Sequence, residues 1–104
     1  MAKKFIINND LLVIGNVGYH FQLVQQHATT RGGGWWHVDR ETETLYLYDK
    51  STDYGRCDFN ELKKVVENGA MPMSYNKLRI VFSKHERLED AMKDFIVLME
   101  KKIN

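Results

Sequence analysis

The segment 44–49, which reads TLYLYD, constrains the fold more than any other stretch of the chain. Its leucines and tyrosines alternate, which is the period of two expected of a strand with one core face and one more polar face. A second strand at 35–38 precedes it across the polar turn 39–43, so together they predict a β-hairpin. Glycines mark backbone bends at one end of this hairpin, in the triplet 32–34 and at Gly55, because glycine has no Cβ to clash.

Other periodic segments extend this hairpin to an α+β fold with a single, mostly antiparallel or mixed sheet packed with helices. The expected strands are 5–7, 11–14, 35–38, 44–49 and 77–82. A short helix is expected at 19–26, with a continued strand as the alternative, and a second helix at 59–68 behind the capping box of Asp58 and Glu61. A third helix is expected from Glu86 onward, where apolar residues recur at three- and four-residue spacing. Those apolar residues are Leu88, Met92, Phe95, Met99 and Ile103.

Size and composition predict one globular domain over residues 1–104. The 104 residues are 43% hydrophobic and 28% charged, which is ordinary for a domain that buries its own core. A formal net charge of +1 gives no support for general nucleic-acid binding. No apolar run approaches the roughly 20 residues of a transmembrane helix, so no membrane partner is expected.

The cysteine and histidine pattern argues against disulfides and metal. The single cysteine, Cys57, cannot form an intramolecular disulfide, which fits a reducing cytoplasm. The histidines and acids show no close zinc motif. Cys57 is not expected to be a nucleophile either, since Lys63 stands where a cysteine phosphatase loop has an arginine. His27, His37 and His85 are scattered and are expected to be structural or solvent-facing.

Three features occur in a particular order along the chain. They are the step Tyr19-His20, the triplet Gly32–Gly34, and the segment 45–55, which reads LYLYDKSTDYG. In this order they resemble the Janus/Ocnus family, the phosphohistidine phosphatases. The resemblance covers about residues 4–83, and residues 84–104 would then be an appended C-terminal helix.

The resemblance implies a small phosphatase that acts on phosphohistidine or phospholysine without a metal or other cofactor. His20 lies at the position of the family's essential histidine, as general base or as nucleophile. The partner would be a phosphorylated protein or a small phosphoramidate. The implied substrate-binding residues are Lys4, Phe21, Ser51, Thr52 and Asp53, with the phosphoryl oxygens held mainly by backbone amides.

Elementary electrostatics is compatible with an anion site at His20. Unpaired N–H groups at a helix start attract anions, and consecutive loop amides form an anion-binding concavity. The positive end of a helix dipole would also favour a neutral imidazole. A neutral imidazole can take a proton from water or attack phosphorus itself.

Two departures from the family pattern favour an alternative function. Trp35 follows the glycine triplet where the family has an arginine, and Asp53 stands where the family prefers a small residue. A carboxylate at about 4 Å from a phosphate would repel it by roughly 1 kcal/mol in water and roughly 4 kcal/mol near a protein surface. The alternative is a non-catalytic phosphate- or protein-binding module that uses Trp35 or Trp36, of which one should face the core and the other the surface.

The glycine triplet and the C-terminal helix each allow more than one interpretation. The triplet, taken alone, is a bulge or a loose start of a strand, or else a phosphate cradle, and Trp35 behind it favours a role in shaping the site. The apolar stripe of the C-terminal helix is expected to cover the sheet. The same stripe would suit a dimer contact, so the chain is expected to be a monomer or a weak homodimer.

Overall fold

The alternating apolar residues are brought together in one mixed sheet. The computed structural model describes residues 2–25 and 27–101. Six strands are hydrogen-bonded in the order β2-β1-β3-β4-β5-β6. Their bounds are β1 (Ala2–Asn8), β2 (Leu11–Val17), β3 (Thr30–Asp39), β4 (Thr44–Tyr48), β5 (Arg79–Ser83) and β6 (Ile96–Met99). Strands β4 and β5 run parallel and the other neighbours run antiparallel, which confirms the prediction of an α+β domain with a mixed sheet.

Helix α1 (Phe59–Glu67) provides the crossover that the parallel pair β4–β5 requires. It begins where the Asp58 carboxylate accepts hydrogen bonds from the N–H groups of Asn60 and Glu61, at 2.7 and 3.3 Å. These bonds satisfy two of the N–H groups that a helix start leaves free. The helix ends before Gly69, whose φ of +68° cannot continue it. The predicted helix at 59–68 is therefore confirmed.

The sheet separates its side chains into two faces. The face that packs against α1 carries Phe5, Ile7, Leu45, Leu47, Ile80 and Phe82. The opposite face carries Lys4, Trp35, His37, Tyr46, Tyr48 and Val81. Trp36 lies with the core, where its Nε1 donates to the Gly15 carbonyl at 3.1 Å, whereas Trp35 lies on the opposite face. The prediction that the adjacent tryptophans face opposite sides is confirmed.

The long C-terminal helix predicted from Glu86 is wrong. Helix α2 covers only Leu88–Ala91. Ile96–Met99 forms the edge strand β6, which pairs with β5 so that Ile96 lies opposite Phe82. Two facts explain the difference: β5 without β6 would leave a row of unpaired backbone groups, and a run that starts with Ile and Val favours a strand. The predicted dimer contact on that helix loses its structural basis. Ile103 lies outside the described residues.

Smaller corrections concern the ends of elements. The helix expected at 19–26 is a single 3-10 turn, His20–Leu23, and Gln26 lies outside the described residues. Ser83 is the last residue of β5, and its Oγ accepts a hydrogen bond from the His85 N–H at 3.1 Å. Strand β3 starts at Thr30, earlier than predicted, because the glycine triplet is itself paired with β1. None of the helices in the described residues is long and apolar enough to cross a membrane.

Candidate functional site

The glycine triplet holds β3 tightly against its neighbours. The Gly33 N–H donates to the Gly55 carbonyl at 3.1 Å, which joins the triplet to the loop that follows β4. A Cβ at Gly32 would lie 2.7 Å from the backbone of Cys57. A Cβ at Gly34 would approach the Phe5 ring at 2.9 Å and the Tyr48 carbonyl more closely still. The triplet is therefore buried packing that positions the loop 51–55, rather than an open cradle for a ligand.

A cavity of about 320 Å³ lies on the face of the sheet opposite α1. Lys4 of β1 and Trp35 of β3 are direct partners in the sheet and form one wall. The 3-10 helix brings His20, and the loop after β4 brings Thr52 and Asp53. Gly18 and Tyr19 complete the lining. Four residues that the sequence singles out, Lys4, His20, Thr52 and Asp53, thus share one cavity although they come from three parts of the chain.

The His20 imidazole is fixed by a backbone carbonyl. The side chain is 5% exposed, and its Nε2 lies 2.8 Å from the Gly34 oxygen. Because a carbonyl can only accept, Nε2 must carry the proton and Nδ1 must hold the free lone pair. Nδ1 makes no hydrogen bond with the described part of the chain, and it is not fully buried, so it keeps some contact with solvent. A neutral nitrogen base is therefore available in the cavity.

Burial keeps this base neutral. The pKa of His20 is lowered from 6.5, first because burial penalises the charged ring and also because the Lys4 ammonium is near. The hydrogen bond to Gly34 and the carboxylates of Asp53 and Asp49 act in the opposite direction. The helix dipole expected from the sequence is not what keeps the ring neutral. One 3-10 turn supplies little dipole, so desolvation is the physical cause.

Lys4 is held in a defined position beside His20. Its Nζ donates to the Gly18 carbonyl at 2.6 Å and lies 5.1 Å from the centre of the Trp35 ring and 5.8 Å from that of Tyr19. Aromatic faces attract an ammonium group, so the two rings stabilise this placement. An ammonium has three N–H donors. Lys4 therefore keeps N–H groups free for a ligand.

Loop 51–55 contributes less than the sequence predicts. The Ser51 N–H and carbonyl are both bonded to Gly55, at 3.1 and 2.8 Å, and the Ser51 Oγ accepts from Tyr54 N at 3.1 Å. Ser51 therefore closes the loop, and its amide is already satisfied. The amides of Thr52 and Asp53 make no hydrogen bond with the residues that the structure describes, which leaves them available to a ligand.

Phe21 lies at the rim and not in the cavity. Its ring is 55% exposed and stacks on the Tyr19 ring, 5.5 Å away with 14° between the planes. Both tryptophans are half-buried, so the exposed aromatic surface that the sequence placed on Trp35 or Trp36 is formed instead by Tyr19 and Phe21. Sequence reasoning also missed the Gly34 carbonyl, since a backbone acceptor leaves no mark in the sequence.

Other reactive side chains lie away from this cavity. Burial raises the pKa of the Cys57 thiol to about 12, so it is inert. His85 Nε2 lies 3.0 Å from Asp94 Oδ2 beside a cavity of about 240 Å³. Sequence reasoning missed this pair because it placed Asp94 in a long C-terminal helix. Within 2–25 and 27–101, no cluster of His, Cys, Asp or Glu side chains could hold a metal ion.

Comparisons of the chain with protein-family models, with curated proteins and with solved structures found no match. The function is therefore inferred from the chemistry of the cavity residues.

Proposed function

We propose that the chain is a small phosphatase with a phosphohistidine-phosphatase-like fold, and that it hydrolyses the P–N bond of phosphohistidine or phospholysine without a metal. One observation carries this proposal: the cavity combines the Lys4 ammonium with a neutral His20 whose proton is held on Nε2. A cation to bind the phosphoryl oxygens and a base to activate water are the groups that such a hydrolysis needs.

In the proposed reaction His20 acts as the general base. Water attacks phosphorus while Nδ1 takes one of its protons, and the P–N bond breaks with its electron pair on the leaving nitrogen. The resulting imidazolium returns a proton to that nitrogen, so the products are inorganic phosphate and the free amine or imidazole. The Gly34 carbonyl keeps the ring in the productive tautomer, and a lowered pKa keeps Nδ1 unprotonated at neutral pH.

Binding of the phosphoryl group is assigned to Lys4, the Thr52 amide and the Asp53 amide. These groups come from β1 and from the loop after β4, and they line the cavity together with His20. Developing negative charge on the phosphoryl oxygens would be stabilised by the Lys4 ammonium, which is held in place before the ligand arrives.

The test is hydrolysis of phospholysine and phosphohistidine in buffer that contains a chelator. Loss of a general base typically costs 10²–10⁴-fold, so His20→Ala is expected to reduce kcat at least about 100-fold. His85→Ala is the matched control, because the Nε2 of this exposed histidine is also hydrogen-bonded, to Asp94, but His85 lines another cavity. Equal activity of wild type and His20→Ala would refute the assignment. A phosphoryl group trapped on His20 by a denaturing quench at alkaline pH, where the P–N bond of phosphohistidine survives, would show direct attack by the ring instead of water activation.

A non-catalytic binding module is the second candidate, and the position of Asp53 favours it. Asp53 lines the cavity, and its carboxylate is near enough to raise the pKa of His20, so it would oppose a bound phosphate. The stacked rings of Tyr19 and Phe21 at the rim would offer a contact surface to a protein. Phosphate binding at His20 and Thr52 without turnover of either phosphoramidate would decide for this module.

A further inference from the structure

Two opposite charges line the His20 cavity without pairing with each other. Lys4 and Asp53 both line it, yet the Lys4 Nζ and the Asp53 carboxylate oxygens are more than 4.0 Å apart, too far for an ion pair. Asp53 makes no side-chain hydrogen bond or ion pair with the described residues. In another cavity the opposite charges of Arg31 and Glu61 meet directly, at 3.0 Å. The His20 cavity therefore keeps both charges available.

The Lys4 ammonium and the backbone that carries Asp53 are held in place. The Lys4 ammonium is fixed by the Gly18 carbonyl and two aromatic rings. Asp53 lies in the loop that the paired hydrogen bonds between Ser51 and Gly55 close. Each charge also acts on the imidazole, since Lys4 lowers and Asp53 raises the pKa of His20. The neutral ring thus lies close enough to one positive and one negative side chain for both to act on it electrostatically.

A simple anion uses only one of these two charges. A phosphoryl group is attracted by Lys4, and repulsion from Asp53 offsets part of that attraction. A ligand that carries a cation beside its phosphoryl group gains from both residues, and its charges complement those of the cavity.

We infer that the cavity selects a zwitterionic phosphorylated compound, with its phosphoryl group at Lys4 and Thr52 and its ammonium group at Asp53. The inference rests on the proposed phosphoryl site and narrows its substrate class. At about 320 Å³ the cavity is close to the lower limit of ligand pockets, roughly 300 Å³, so the ligand is small. The Trp35 ring in the wall adds a surface that attracts ammonium groups.

The test compares phosphoethanolamine with n-propyl phosphate by calorimetric titration of the full chain. The two probes have nearly the same shape, but a methyl group replaces the ammonium in the second. Exposed ion pairs contribute up to about 1 kcal/mol, so wild type is expected to bind phosphoethanolamine roughly fivefold more tightly. Asp53→Asn should remove this preference, and it should bind n-propyl phosphate more tightly than wild type does. Asp10→Asn, an exposed carboxylate in a different cavity, is the control and should retain the preference.

The outcomes separate this inference from the proposed function. Equal affinity of wild type for the two probes, or a preference that survives in Asp53→Asn, overturns the inference and leaves the phosphoryl site intact. Lys4→Met should weaken both probes. If neither probe binds wild type, the phosphoryl site and the inference fail together.

Discussion

Replacement of Gly32 by alanine tests whether the glycine triplet is fixed by packing. Gly32 has a φ of +91°, and a Cβ there would lie 2.7 Å from Cys57 Cα and N, where real Cβ atoms essentially never come within 3.0 Å. The left-handed φ costs roughly 1–2 kcal/mol. The contact is with backbone, which cannot rotate away, and overpacking of this kind costs a further 1–3 kcal/mol or so. We expect Gly32→Ala to lose about 2–5 kcal/mol of unfolding free energy.

Two other glycines separate these contributions. Gly69 has a φ of +68° with no atom within 4 Å, so Gly69→Ala carries the backbone cost alone, about 1–2 kcal/mol. At Gly18 the nearest atom is the flexible Gln22 Oε1 at 3.4 Å, so Gly18→Ala should be close to neutral. All three variants share the entropic gain of about 0.4–1 kcal/mol that alanine brings through the unfolded chain. Urea denaturation gives the three values. A Gly32→Ala protein as stable as Gly69→Ala would refute the proposed close contact between the triplet and Cys57.

The remaining predictions concern titration, reactivity and the C-terminal strand. Because the folded-state pKa of His20 is lowered from 6.5, the unfolded chain binds more protons below that pH. The free energy of unfolding should therefore rise with pH up to about 6.5. His20→Gln should flatten that rise when urea titrations are run at pH 5 to 7.5. A pH dependence of the variant equal to that of wild type would contradict the buried neutral ring. The Cys57 thiol is 4% exposed, and burial raises its pKa to about 12. It should therefore react with a disulfide reagent only as fast as the chain unfolds. Immediate labelling of the folded protein would show instead that the thiol is accessible. Leu98→Ala should cost at least about 2 kcal/mol, whereas Ile96→Ala, at a side chain 50% exposed, should cost much less; equal costs would argue against β6 as described.

Sequence alone was sufficient for strands β1 to β5 and helix α1, because their signals are local. The alternation in 44–49 and the cap at Asp58 identify a strand and a helix without knowledge of the rest of the chain. The C-terminal segment could not be assigned in this way. The three- and four-residue spacing of its apolar residues is compatible with a helix. The β5 edge, which would otherwise be unpaired and which no local pattern reveals, favours a strand at Ile96–Met99.

In the candidate cavity, too, the sequence predicts some features and not others. The residue types of Lys4, His20, Thr52 and Asp53 could be selected from the sequence, and the fold brings them to one cavity. The hydrogen bond from His20 to the Gly34 carbonyl and the closure of the loop by Ser51 depend on backbone groups. Backbone donors and acceptors are present at nearly every residue, so no sequence pattern distinguishes the ones that a site uses.

Titration of the ¹⁵N-labelled chain with inorganic phosphate tests the central claim most directly, namely that the His20 cavity is a phosphoryl site. We expect amide shifts that saturate together at Thr52, Asp53, His20 and Phe21, and their loss in Lys4→Met. Amides beside His85, in another cavity, serve as the internal control. Shifts confined to other parts of the surface, with the cavity residues unchanged at saturating phosphate, would contradict the account.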